Sequence, residues 1–251
     1  MSAHGPMSLL AYLPLLLLAV LAWRLIQIQA YKPFPWFFLY VVYAIAAGAG
    51  RFFVRNHAIF YFRTYWVTET GYLIISTIVL YEVFRRMGLA RSRIWWLRFM
   101  FPMLVLLSAG LTTMHWYSSP SQVTDPRIAF IITLELGVQL LQGLVFVVLM
   151  ILVPTVGLGW KQHALGIAGG FGVNATIMFL TTTKFSAFGT GFDFLWRWSA
   201  VVAYSIAVSI WLWFFATPDH PAKNAPIGRP ITPEDLEEMQ RYKEIIRRKP
   251  R

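Results

Sequence analysis

The sequence predicts an all-α protein: a polytopic membrane bundle of seven transmembrane helices, N-terminus outside and C-terminus inside. Three observations predict it. The 251 residues are 57% hydrophobic and only 13% charged, with a mean hydropathy of +0.57, whereas soluble domains are about a quarter charged. Apolar runs of about 20 residues, enough to cross the bilayer core, recur along the chain. The basic residues collect in alternate loops between those runs. Aromatic residues reach 17%, with 11 Trp, as suits interfacial belts where a ring is buried and its N–H or O–H meets water.

The first run covers 8–28. Only His4 precedes it, so there is no basic leader region, and no small-x-small cleavage site stands before Arg24. It reads as an uncleaved first span and not as a signal peptide. The second, 34–53, follows Lys32-Pro33 and Pro35 and carries Ala44 and Gly48 in small-xxx-small spacing, which lets helices approach closely. The third, 58–84, opens after Asn56-His57 and ends in Arg85 and Arg86. The fourth, 96–117, contains Pro102, which a bundle tolerates because neighbours satisfy the freed carbonyl. The fifth, 128–153, stops at Pro154. The sixth, 162–183, carries Gly166, Gly169, Gly170 and Gly172, a cluster that predicts close packing through the Gly166/Gly170 pair. The seventh covers 194–216.

Residues 1–216 thus form the transmembrane domain and 217–251 a cytoplasmic tail. The tail begins with a linker that holds four prolines over 217–230. A short basic helix is expected to follow, with Thr232 as N-cap, Pro233 in the first turn and Arg247, Arg248 and Lys249 at its negative end.

Orientation follows from lysine and arginine. One side gathers Arg24, Lys32, Arg85, Arg86, Arg91, Arg93, Arg98, Lys161 and the tail, sixteen of the 22 basic residues. The richer side is expected to be cytoplasmic, which places the protein in the cell (inner) membrane with the N-terminus outside. Arg51, Arg55, Arg63, Arg127, Lys184 and Arg197 fall on the other side.

Depth assignment then separates the polar residues. Tyr65, Glu69, Tyr72 and Ser76 recur at i, i+4, i+7 and i+11 on one face of the third span, with Arg63 just before them. Glu135, Gln139 and Gln142 do the same on the fifth. His115 ends the fourth span, Asn174 lies near mid-depth in the sixth, and Arg197 lies near the start of the seventh. All of these fall in the outer half or near mid-depth. The inner half is apolar apart from Glu82, which the spacing pairs with Arg85 or Arg86 at i+3 or i+4. A charge in a span costs a few kcal/mol and requires a partner, water or a purpose. Two readings of the cluster stay open. Arg63 and Arg197 neutralise Glu69 and Glu135 while the amides tie helices together, or these residues line an outward polar cavity for a small ligand or partner. Proton or ion transfer is a third reading, weakened by the apolar inner half.

Several chemistries lack their residues. With no cysteine there is no disulfide, thiolate metal site or iron–sulfur cluster. The seventh span has no lysine for a retinal Schiff base. The five histidines, His4, His57, His115, His163 and His220, supply no facing pair for haem. No zinc-hydrolase, serine-elbow or phosphate-loop motif occurs. No catalytic residue, metal or cofactor is therefore expected. The net charge of +11 does not imply nucleic acid. Arg85, Arg86, Arg91, Arg93 and Arg98 surround Trp95 and Trp96, an arrangement that suits an anchor on anionic lipid or a cytoplasmic partner.

The third span reads FYFRTYWVTETGYLIISTIVLYEVFRR. Its Tyr65-Trp66, Glu69 and Tyr81-Glu82-x-Phe84 resemble a pattern in small stand-alone seven-span bacterial proteins of acidobacterial type. They also resemble the seven-span sensory segments that precede some histidine kinases. The resemblance covers about 25 residues closely and the seven-span layout loosely. It implies a membrane topology and a sensory ancestry. No kinase follows within residue 251, so output is expected to pass to a separate partner. The residues together predict a sensory or accessory membrane module. A structural subunit of a larger membrane complex and a small transporter or channel are the alternatives.

Overall fold

The computed structural model describes residues 13–87, 89, 95–118, 126–155, 162–188 and 193–217. Among these are seven helices and no strand: α1 (Leu13–Gln27), α2 (Pro35–Val54), α3 (Ala58–Arg86), α4 (Trp95–Ser118), α5 (Pro126–Thr155), α6 (Gln162–Phe188) and α7 (Asp193–Ala216). Six of them, α2 to α7, are long and apolar enough to cross a membrane; α1 is an apolar helix of 15 described residues. An all-helical answer follows from the solvent. Hydrocarbon offers the backbone no hydrogen bonds, and a helix satisfies its N–H and C=O groups within itself except at its two ends. Arg91, Arg93, Lys161 and the expected linker and helix of the tail lie outside the described residues.

The α1–α2 corner shows how the chain turns. The Ala30 amide donates to Leu25 at 2.9 Å and the Gln29 amide to Ile26 at 3.1 Å, the paired bonds of a Schellman ending. Gln29 occupies the left-handed position at φ 53°, where glycine is usual. Its side-chain oxygen accepts from Lys32 Nζ at 2.7 Å. Pro35 then starts α2, where a missing N–H costs nothing.

Only Arg55, Asn56 and His57 separate α2 from α3, so the two must run antiparallel as neighbours. The contacts agree. Arg51 near the end of α2 meets Thr68 in α3, while Glu82 near the end of α3 meets the start of α2. By contrast α1 and α7 run parallel. Arg24 at the end of α1 donates to the carbonyls of Phe215 and Ala216, at 3.1 and 3.4 Å, at the end of α7. A cation on the last carbonyls of a helix satisfies orphan acceptors and complements its dipole. Parallel first and last helices are what seven helices of alternating direction require.

Packing partners place α1 between α2 and α7, α6 between α5 and α7, and α3 against α2, α5 and α6; α4 packs on α5 and touches α3 through Phe101. The bundle therefore has two unlike ends, called here the Glu82 end and the Arg51 end. Fully buried apolar side chains concentrate toward the first: Leu21, Leu25, Phe37, Leu80, Phe84, Leu149, Trp211 and Phe215. Phe37 stacks on Phe215 with ring centroids 5.6 Å apart and meets Trp211 edge-on at 5.2 Å. Trp211 Nε1 donates to the Ile167 carbonyl at 3.1 Å. Gly170 makes that possible, because a Cβ there would overlap the indole. At the Arg51 end the first turns of α3 stand away from the bundle, with Ile59, Phe60, Tyr61 and Phe62 all exposed.

Glu82 behaves differently from the i+3/i+4 pairing expected from sequence. Its carboxylate accepts from the backbone amides of Trp36 and Phe37, at 3.4 and 3.1 Å. Phe34, the N-cap residue of α2, makes no side-chain cap bond. Glu82 supplies the missing acceptor from α3, an anion at a positive helix end. Arg85 and Arg86 remain within electrostatic range of it.

Candidate functional site

At the other end of the α2–α3 pair lies a polar cluster. Its centre is Arg51 in the last turn of α2. The guanidinium donates to the Glu69 carboxylate at 2.6 Å. It also donates to Thr68 Oγ1 through Nε at 2.8 Å and Nη2 at 2.5 Å. Thr68 can accept because its own hydroxyl proton is directed to the carbonyls of Thr64 and Tyr65 one turn back. The Arg51 guanidinium lies 4.6 Å from the Tyr65 ring centroid and 5.6 Å from that of Tyr72. Rings at that range attract a cation, more so where water is thin. Tyr43 donates to the Thr68 carbonyl at 2.9 Å and Tyr72 to that of Ala44 at 3.3 Å. Tyr43 also meets Tyr72 edge-on at 5.2 Å. The side chains of Arg51 and Glu69 keep 22% and 20% of their surface accessible, so the pair is held by protein but not sealed.

The second carboxylate stands across from it on α5. Glu135 accepts from Gln139 Nε2 at 3.0 Å and lies within electrostatic range of Glu69 and of the Tyr65 hydroxyl. Because Gln139 donates its amide nitrogen to Glu135, its orientation is determined. Its oxygen then points elsewhere, buried and without a hydrogen-bond partner. Gln142 Oε1, one turn deeper on the same face, is likewise buried and unpartnered, in a residue only 7% exposed. Trp66 Nε1 shares that condition, whereas the Tyr204 hydroxyl stands against that of Tyr40. Buried polar atoms without partners are uncommon, since each costs about 1–3 kcal/mol.

The structure thus brings together Tyr65, Glu69 and Tyr72, and sets Glu135 and Gln139 opposite them. Arg63 is exposed. The cation on Glu69 is Arg51, a residue whose helix position alone does not reveal its partner. Asn174 lies half-buried in α6. His115 and Arg197 fall in described helices, but their side chains lie outside the described part. Thr68, Tyr43 and Tyr204 join the site without a sequence signal of their own. The signal that was present for Arg51 is the three-residue α2–α3 connection, which forces the two helices into contact.

Among the described residues, no three histidine, aspartate or glutamate side chains come together as metal ligands would. Among the described residues the cluster offers a compensated ion pair, a second carboxylate supported by an amide, and two amide oxygens without partners.

The fold and this cluster define a multi-pass helical membrane protein with a polar group of side chains toward one end of its bundle. No protein-family model matches the chain, and neither a curated protein nor a solved structure shows detectable similarity to it.

Proposed function

We propose that this protein is a sensory or accessory membrane module whose Arg51 end binds a small ligand or partner group rich in hydrogen-bond donors. The observation that carries this reading is the pair of buried, unpartnered oxygens of Gln139 and Gln142 beside Glu135. Three acceptors on one helix face, one of them a carboxylate, call for donors: a protonated amine, a guanidinium or an amide. Trp66 Nε1 adds one donor to the same end, and the nearby tyrosine faces suit a cation. By the charge distribution of the loops this end is external, so the ligand arrives from outside. Arg85, Arg86 and Arg98 then lie on the cytoplasmic side, the side to which the sequence also assigns Arg91, Arg93 and the tail, and suit anionic lipid or an output partner. The resemblance of the third span to sensory seven-span segments supports the same reading.

A transporter needs a polar route to the other side. The packed aromatic and aliphatic layer of Phe37, Leu80, Phe84, Trp211 and Phe215 occupies the Glu82 end, which favours binding over passage.

The test is a ligand-stabilisation screen on the purified full chain with small amines, guanidinium compounds and neutral amides. Cationic or amide donors are expected to raise the melting temperature, and Glu135→Gln and Gln142→Leu to remove that response without lowering the ligand-free melting temperature. A response to carboxylates in place of amines, or one untouched by both substitutions, overturns the assignment.

A further inference from the structure

A second site lies on the lipid-facing side of the bundle, away from the polar cluster. Here α1 and α7 leave a groove of about 640 Å³ walled by Leu13, Leu17, Val202, Ile206, Ile210 and Trp213. Its hydroxyls, on Ser205 and Ser209, donate to the carbonyls of Val201 and Ser205 in their own helix, at 2.7 and 2.8 Å. The groove therefore offers an entrant chiefly apolar contact, both serine hydroxyl protons being directed within α7. Its lining runs from Trp198 to Trp213, ~22 Å at the helical rise. That exceeds the ~15 Å depth of one leaflet's hydrocarbon.

The groove ends at a cation. Arg24 lies on the same face of α1 as Leu13 and Leu17, at i+11 and i+7. It is anchored through Nε and Nη2 on the carbonyls of Phe215 and Ala216, which directly follow Phe214, the last α7 residue of the groove's lining. Guanidinium carries five N–H donors, so these two bonds orient the group and leave further donors for an anion. An apolar helix face of a second copy would cover the groove wall but bring nothing to meet the charge. An acyl chain is narrow, and the phosphate it hangs from is an anion.

We propose that this groove holds an acyl chain of an anionic phospholipid, with the headgroup phosphate on Arg24. The site is built: the helix that supplies the groove wall also supplies the carbonyls that hold the arginine. It stands apart from the polar cluster, and its success or failure does not bear on the ligand proposed there.

The experiment is native mass spectrometry of the full chain reconstituted in vesicles of equal parts phosphatidylglycerol and phosphatidylcholine, then transferred to mild detergent. Wild type is expected to retain one phosphatidylglycerol per chain. Arg24→Gln should lower that occupancy about fivefold, as expected for loss of a basic residue at an anionic lipid surface, and Arg24→Lys should restore most of it. Ser205→Leu with Ser209→Leu fills the groove without altering charge and should also release the lipid. The second variant holds the test open should Arg24→Gln unfold the end of α7. Equal retention of phosphatidylcholine, indifference to both variants, full displacement by inorganic phosphate, or a lipid-free dimer that occupies the groove would each overturn the proposal.

Discussion

Glu82, near the end of α3, accepts a 3.1 Å hydrogen bond from the backbone amide of Phe37, in the first turn of α2. A side chain from one helix thereby completes the open N-terminus of another, 45 residues earlier in the chain. The ring of that same Phe37 stacks on Phe215, so the amide bond fixes an aromatic anchor for α7 as well. Replacing Glu82 by Ala should cost about 2–3 kcal/mol, the range for a charge-assisted bond whose donors are left buried. Glu82→Gln, which keeps an acceptor, should cost about half as much. Thermal unfolding in detergent measures both. Equal losses would mean that the carboxylate acts through Arg85 and Arg86 and not through the helix end.

Arg51 and Glu69 make a second cross-helix tie, and here each single change leaves a partly buried charge. Arg51→Met and Glu69→Gln should each destabilise by roughly 1–3 kcal/mol, less than for a fully buried pair because both groups reach water. The double substitution should cost less than the two losses combined, with a coupling of at least about 1 kcal/mol. Additive losses would show that the pair is held by its neighbours and not by mutual attraction.

Gly170 in α6 differs from Gly50, Gly110 and Gly143 in what surrounds it. A Cβ on Gly170 would overlap Trp211 and displace its bond to Ile167, whereas a Cβ on Gly50, Gly110 or Gly143 meets nothing within 4 Å. Gly170→Ala should therefore destabilise by about 1–3 kcal/mol. Gly110→Ala, in a helix interior, should be neutral or stabilise by about 0.5–1 kcal/mol. Indole fluorescence and melting temperature separate the two. Similar behaviour at both positions would sink the packing account.

Gln29 sits in a backbone conformation that suits glycine. Gln29→Gly should stabilise by about 0.5–1 kcal/mol, because relief of the left-handed strain outweighs the lost bond from Lys32. Melting temperature measures the change. A loss of stability would show that the Lys32 contact, and not backbone strain, governs this corner.

Topology can be measured cleanly because the chain has no cysteine. Single cysteines at Asn56, between α2 and α3, and at Gln29, between α1 and α2, lie at opposite ends of the bundle. A membrane-impermeant maleimide applied to intact cells should label Asn56→Cys directly and Gln29→Cys only after permeabilisation. The reverse pattern would invert the orientation and put the Arg51 cluster inside.

The helices were legible because hydrophobic length is a local property. A run of about 20 apolar residues has few alternatives in a bilayer, and the observed α2, α3 and α7 begin and end within two residues of the expected 34–53, 58–84 and 194–216. The candidate site was legible only in part. Helical periodicity put Glu69 with Tyr65 and Tyr72, and Glu135 with Gln139 and Gln142, since a face is also local. Which cation serves Glu69 was not local. Arg63, on the same helix and near in sequence, is exposed, while Arg51 reaches across from α2. Glu82 repeats the lesson, with arginines three and four residues on, yet bonded to the amides of another helix.

The sequence by itself thus determined a helical membrane bundle, its seven apolar elements and the faces that carry polar groups, because burial in hydrocarbon acts on each segment independently. Only the tertiary structure decided the partners: Arg51 for Glu69, the Phe37 amide for Glu82, and the end of α7 for Arg24. Those choices depend on which helices touch, at what depth and in which direction. Distance and desolvation, which set the strength of a polar contact, exist only once the helices are assembled.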